Sequence, residues 1–366
     1  MLRMIAKRMI ESARWPISRT VGRTLLRDPD RWDRWLILDE SYDPLVGMLA
    51  WLDRHPDLPE SVRAGLDKWD TRHHGDVPHN RVWAYDIQTP VFIDPRGGWV
   101  VEPGAHLLAR SRTYHLLSPP KAFVSLARLP LSRSAVHLPM AISLRDSNEG
   151  NYWHWWDDQL SKLYLAERLG LLTDRVPIIV GSTLARARFF REARARGRLA
   201  RLNWHVQSGP LRVDRLIVLN GGAMQEESLA KAPTWVESPA PSNGKKIFIT
   251  RAPDTPRGLI NLDELRPTLA AGGYEIIDCG RLSLDEQMHA FASADRIVGV
   301  HGAALANAQW RRRASTNLTE IFHPATINPH YAWMAMRTGF RYHATTGQQA
   351  ANGRMLLTPS VLAKLL

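Results

Sequence analysis

Apolar positions change their spacing several times along this 366-residue chain. In the first 75 residues, short apolar pairs alternate with Arg, Asp and Pro, which predicts short helices broken soon after they start. Met1–Ser12 sets Ile5, Met9 and Ile10 opposite a basic face, which fits a helix on a membrane surface or one packed on its own domain. From about Asn80 the apolar residues gather into strand-length blocks. These are Arg81–Ile93 and Trp99–Glu102 around the Pro95-Arg96-Gly97-Gly98 turn, then Ala135–Leu144. Glu149–Leu169 returns to helical spacing and stops at Gly170. Val176–Val180 and Val213–Leu219 read as strands flanking a helix over Thr183–Arg196 that Gly197 ends. Strand–helix alternation of this kind predicts a parallel sheet.

Leu229–Gly244 is dense in Pro, Ser, Asn and Gly and reads as a linker. Beyond it, strands over Lys246–Thr250, Tyr274–Asp278, Arg296–Val300 and Asn317–Phe322 alternate with helices. Asn261-Leu-Asp-Glu264 and Ser283-Leu-Asp-Glu286 have capping-box form, and Asn328-Pro329 places Pro at a first helical position. The expected architecture is α/β. A helical extension covers residues 1–79, a Rossmann-like half 80–228, the linker 229–244, a second Rossmann-like half 245–345, and a tail helix 346–366. Two doubly wound halves leave a cleft, and ligands bind at the carboxyl ends of the strands that face it.

Composition narrows the possibilities. A hydrophobic share of 44% with 23% charged residues excludes global disorder. The single cysteine, Cys279, excludes a disulfide framework and any Cys-clustered metal site. Ile297–Trp310, the longest candidate span, has 14 residues and falls short of the roughly 20 a spanning helix needs. The basic N-terminus lacks the continuous apolar core of a secretory signal, so a cytoplasmic protein is expected. Lys and Arg outnumber Asp and Glu by 48 to 36, a net charge of +12 that attracts anions: nucleic acid, acidic lipid or phosphorylated substrates. Arg186–Arg201 concentrates part of that excess.

Candidate chemistry lies in four places. At His301-Gly302-Ala303-Ala304 a strand ends and small residues let a ligand approach the backbone, where amides and His301 could hold a phosphate. The same residues also suit tight helix–strand packing. Arg251 follows the strand Lys246–Thr250, and Arg257 lies in the next loop; guanidinium forks match phosphate, or stand solvated. Glu320, in the strand Asn317–Phe322, could accept ribose hydroxyls or pair with Arg311–Arg313. In Asn151-Tyr-Trp-His154-Trp-Trp-Asp157-Asp158, His154 lies three residues from Asp157 and four from Asp158, so either pair shares a helical face and could supply a general base. Trp153, Trp155 and Trp156 could stack on sugars or fill the core. Asp157-Asp158 as a metal site lacks an evident third ligand.

Together these stretches resemble glycosyltransferase family 61. The residues that carry the resemblance are Ala141–Leu169, Lys246–Arg257 followed by Asn261-Leu-Asp-Glu264, Leu282-Ser-Leu-Asp-Glu-Gln287, Ile297–Asn307 and Thr319-Glu320-Ile321, within Ile142–Tyr342. The resemblance implies a GT-B architecture and an inverting, metal-independent transfer from a nucleotide sugar, often UDP-linked, with no cofactor. It assigns Arg251, Arg257, His301, Gly302, Ala303 and Asn307 to the donor side, Glu320 to the ribose, and Asp157 or His154 to the acceptor hydroxyl. Asp157 is preferred as the base, with His154 orienting the hydroxyl. The expected acceptor is a glycan or lipid-linked hydroxyl in polysaccharide biosynthesis, with the basic N-terminus on an acidic membrane surface and no nucleic acid bound. Two readings compete: a metal-dependent glycosyltransferase using Asp157-Asp158, and a non-catalytic basic protein that binds a polyanion.

Overall fold

The computed structural model describes residues 26–27, 34–39, 48–73, 82–104, 107–108, 128–146, 148–221, 226–242, 244–252, 255, 257–311, 315–350 and 353–366. The surface helix expected over Met1–Ser12 lies outside them. Ten strands form one mixed sheet: β1 (Leu26–Arg27), β2 (Arg34–Asp39), β3 (Val82–Ile87), β4 (Val91–Ile93), β5 (Val100–Val101), β6 (Leu107–Leu108), β7 (Val136–Ser143), β8 (Ile178–Gly181), β9 (Trp204–Gln207) and β10 (Leu211–Asn220). β10, β7, β8 and β9 lie side by side and parallel. On its other edge β10 runs antiparallel to β3 and β4. The first half is therefore mixed rather than fully doubly wound. The turn after β4 returns the chain as the antiparallel hairpin β4–β5, and so short a link cannot make a parallel crossover.

Five strands form a second sheet: β11 (Lys245–Ile249), β12 (Tyr274–Ile277), β13 (Ala294–Val300), β14 (Asn317–Phe322) and β15 (Arg341–Thr346). All are parallel, in the order β12-β11-β13-β14-β15. Ile247, Phe248 and Ile249 are wholly buried in succession, as a parallel strand covered on both faces requires.

The helices, in chain order, are α1 (Met48–Asp53), α2 (Glu60–His73), α3 (Tyr152–His154), α4 (Leu160–Arg168), α5 (Ser182–Arg186), α6 (Arg188–Ala193), α7 (Glu226–Trp235), α8 (Leu262–Ala271), α9 (Leu284–Ala292), α10 (His330–Thr338) and α11 (Pro359–Leu365). A π-turn, Trp155–Gln159, joins α3 to α4, and a 3₁₀ helix, Ala303–Trp310, follows β13. Leu265 and Leu269 of α8 and Leu362 of α11 share a core with Phe248 and Val298 on one face of the second sheet. On the other face, Met288 of α9, Trp310 and Tyr331 join Ile247 and Ile249 in a core that also holds Trp155, Leu160 and Leu163. Aromatic edges close that junction, with Trp156 and Trp310 ring centres 4.7 Å apart and Trp153 and Tyr331 4.9 Å apart. Trp153, Trp155 and Trp156 are thus core residues, 5%, 0% and 1% exposed, and do not stand open to a sugar.

Several local expectations are corrected. Residues 229–235 belong to α7, which buries Leu229, Ala232 and Trp235 despite the internal Pro233, so the linker starts later than its composition suggested. The helix expected over Thr183–Arg196 breaks at Ala187, whose backbone is extended, into α5 and α6. Asn261 caps nothing; its amide donates to Leu357 O at 2.8 Å and its Oδ1 accepts from Leu357 N at 3.2 Å. Ser283 and Glu286 do form the full capping box. The N-terminal segment is not simply a helical extension. The apolar block Trp35-Leu-Ile-Leu38 pairs with β3 as strand β2, while α1 and α2 pack on the second sheet. There Trp51 lies 5.5 Å from Tyr342 and Gly65 abuts Ile327. Among the described residues no helix is long and apolar enough to cross a membrane.

Candidate active site

The strand order of the second sheet creates a crevice. β12 lies on one side of β11 and β13 on the other, so the connections leaving β11 and β13 diverge to opposite faces. Arg251 stands just past the end of β11, and His301-Gly302 just past the end of β13. Arg251 Nη1 donates to His301 O at 3.2 Å and bridges the two strand ends. A Cβ on Gly302 would collide with the Arg251 guanidinium, so only glycine leaves the arginine its place. Burial and the nearby charge of Arg257 push Arg251 below the ordinary arginine range, which marks two cations held close together. Arg257 adopts a left-handed backbone, φ 70°, which a side chain disfavours by about 1–2 kcal/mol. Such strain is found where a site holds a residue in place.

His301 is 3% exposed, and its Nδ1 pairs with Glu320 Oε1. The other carboxylate oxygen accepts from the Tyr342 hydroxyl at 2.5 Å. Glu320 is wholly buried, so a ribose cannot reach its carboxylate; it orients His301. The other ring nitrogen, His301 Nε2, lies 3.5 Å from Asn328 Nδ2. Tyr331 donates to Gly302 O at 2.5 Å and fixes that turn from α10. Burial, then Glu320, raises Tyr331 and Tyr342 well above the usual phenol range, so both remain donors.

The expected α-helix after Gly302 is instead 3₁₀. Asn307 accounts for this: its amide donates back to Ala304 O at 2.9 Å and to Gln287 Oε1 at 2.9 Å, side-chain bonds that compete with the α ladder. Its Oδ1 accepts from Trp310 Nε1 at 2.7 Å and from the Tyr152 hydroxyl. Asn307 is therefore a buried peg tying α3 to the 3₁₀ helix, not a donor contact. Ala303 is half-buried at the first turn of that helix.

Across the crevice, His154 Nδ1 lies 2.6 Å from Asp158 Oδ2. The pairing is four residues apart, so the partner is Asp158 and not Asp157. Asp157, 5% exposed, lies in the same π-turn, where Leu160 N donates five residues back to Trp155 O. Single π-turns inside helices are frequent at functional sites. Burial pulls the His154 pKa down, but Asp158, Asp146 and Asp157 outweigh it, and the net shift is upward from the ordinary 6.5.

His330, unremarked in the sequence, joins these parts. It opens α10, stacks 6.4 Å from His301, and lies 5.0 Å from the Trp153 ring. Burial and then the charges of His301, His154 and Arg257 push it down and keep it neutral. The charges of His154 and Arg257 thus act on the same imidazole that stacks on His301. The signal for it was available: Asn328-Pro329-His330-Tyr331 follows the fourth strand of a parallel sheet, where ligand residues gather.

Among the described residues no group of three His, Cys, Asp or Glu side chains is placed to hold a metal ion. In the Arg-rich stretch, Arg188 pairs with Glu192 at 2.7 Å, Arg196 with Asp285 at 2.8 Å, and Arg198 with Glu167. Part of its charge is thus paired with carboxylates of the same chain. The family model described as Glycosyltransferase 61 matches residues 152–319, from the helix that carries His154 through the crevice to β14. No curated protein matches the chain.

Proposed function

We propose, for a chain whose residues 152–319 match the family model described as Glycosyltransferase 61, that this crevice carries out inverting, metal-independent sugar transfer from a nucleotide sugar. The donor is taken as UDP-linked, and the acceptor as a hydroxyl of a glycan or lipid-linked precursor. The observation that supports this reading most is the meeting of Arg251 with His301-Gly302 at the carboxyl ends of β11 and β13. Fixed cations there suit a diphosphate whose negative charge grows as it departs, and such preorganised stabilisation is usually the largest catalytic contribution.

The acceptor oxygen attacks the anomeric carbon. The bond from that carbon to the diphosphate breaks, and the electron pair leaves with the nucleoside diphosphate. The hydroxyl proton passes to His154 Nε2, since Nδ1 is held by Asp158. Asp158 keeps the imidazole in that orientation and stabilises its protonated form. Asp157, preferred from the sequence, yields the role of base to His154 in this proposal. The two halves act in a GT-B sense, with the donor over the second sheet and the acceptor under α3. The net charge of +12 and the basic N-terminal sequence favour work at an acidic membrane surface on the cytoplasmic side.

Release of nucleoside diphosphate from a panel of nucleotide sugars, with hydroxyl acceptors and excess chelator present, tests the reading. Wild-type protein should turn over at least one donor, and Arg251→Ala and His154→Ala should each lose a hundredfold or more in rate. Wild-type rates in Arg251→Ala, or activity abolished by chelator, would refute it.

A further inference from the structure

A cavity of about 560 Å³ opens beside Arg251, on the side of β11 away from His301. Its polar rim includes Asp278, the residue directly after β12, and its wall is formed by Ile260, Leu262, Ile277 and Leu282. We infer that this cavity holds the nucleoside of the donor, with the Asp278 carboxylate accepting the ribose hydroxyls. The inference rests on reading the adjoining crevice as a nucleotide-sugar site.

The strand order supplies the first reason. A phosphate gripped at the ends of β11 and β13 lies one strand spacing, about 4.8 Å, from the end of β12. A ribose joined to that phosphate reaches this far, and the end of the second strand of such a half-fold is where a carboxylate meets ribose. The second reason is the carboxylate itself. Asp278 Oδ1 accepts from Gly280 N at 3.0 Å, which fixes the side chain, and Oδ2 lies 3.3 Å from Arg281 Nε. A carboxylate offers about four acceptor sites, so this geometry leaves capacity for a diol. Arg281 is 87% exposed and can swing aside. Gly280 lets the loop close on the carboxylate, since a Cβ there would stand 3.2 Å from Oδ1. Thirdly, Ile260 is 44% exposed, an apolar side chain on the cavity wall that a base would cover. Glu320, by contrast, is wholly buried, whereas the Asp278 side chain is 29% exposed.

Titration calorimetry of the full chain decides the matter, using UDP, GDP, ADP and CDP, each against its 2′,3′-dideoxy form, and inorganic pyrophosphate as the phosphate-only probe. Wild-type protein should bind at least one ribonucleotide about 10–100-fold more tightly than its dideoxy form, the range expected for hydrogen bonds to a charged group. Asp278→Ala should bring the ribonucleotide to the dideoxy level and leave pyrophosphate binding unchanged. Ile260→Asp, on an exposed position that folding does not need, should weaken every nucleotide and spare pyrophosphate. Full ribose preference in Asp278→Ala, or no ribose preference in the wild type, overturns the inference while leaving the donor reading intact. Wild-type protein that binds neither nucleotides nor pyrophosphate overturns both.

Discussion

Arg257 offers a separation of stability from function at a single position. Its left-handed backbone, φ 70°, is a conformation that glycine adopts without penalty. Arg257→Gly should therefore leave the protein as stable as the wild type, or more stable by up to about 1 kcal/mol, while weakening donor binding. Chemical denaturation beside a nucleotide titration checks both; a variant that loses stability would show that the arginine is held for packing. His154 carries the second prediction at this scale. Its net pKa lies above 6.5, so the neutral base, and with it the rate, should rise through a pH above that value. The same shift stabilises the fold below pH 6.5, and that contribution is lost as pH rises through the native pKa. Asp158→Asn removes the largest upward influence. The acidic limb of the pH–rate profile should then move to lower pH, with a reduced plateau. An unmoved limb would remove His154 from the reaction. The position of Arg251 and His301 at strand ends was legible in the sequence, because strands announce their ends through burial patterns. The role of Glu320 was not, since it depends on Tyr342, a residue from the neighbouring strand.

At the scale of elements, α3 and the 3₁₀ helix are held together by the Tyr152 hydroxyl on Asn307, and His154 lies two residues beyond. Tyr152→Phe should cost about 0.5–1.5 kcal/mol of stability. The rate should fall further than that loss explains, because the helix carrying His154 loses its anchor; unchanged kcat with the expected loss of stability would limit the contact to packing. The strands of the second sheet matched their apolar blocks, and the Ser283 capping box formed as its spacing required. Asn261-Leu-Asp-Glu264 shows the limit of that logic. Its spacing is the same, but a tertiary partner 96 residues away claims the Asn261 side chain. The 3₁₀ helix after Gly302 was hidden for a similar reason, since Asn307 takes its shape from Gln287 and Tyr152.

Taken whole, the molecule is joined in two ways that composition does not reveal. One core runs from Trp155 and Leu163 through Trp310 to Ile247 and Tyr331, so both sheets share it. The N-terminal segment contributes β2 to the first sheet and lays α1 and α2 on the second. Thermal unfolding should therefore show a single cooperative transition by both far-ultraviolet and tryptophan signals. Two resolved transitions would mean that the halves fold separately and that the shared core adds little. Residues 1–79 read as an appendage in the sequence, because pattern alone reports helices and strands, not what they cover.

Sugar transfer in this crevice depends on the fixed positive groups between β11 and β13 holding a diphosphate, and Gly302 is the position that tests this most directly. A methyl group there would occupy the place of the Arg251 guanidinium. Calorimetric titration of UDP into wild-type protein and Gly302→Ala measures the consequence directly. The wild type should bind, and the variant should lose tenfold or more in affinity with an unchanged melting temperature. Equal affinity in the two proteins would contradict this dependence.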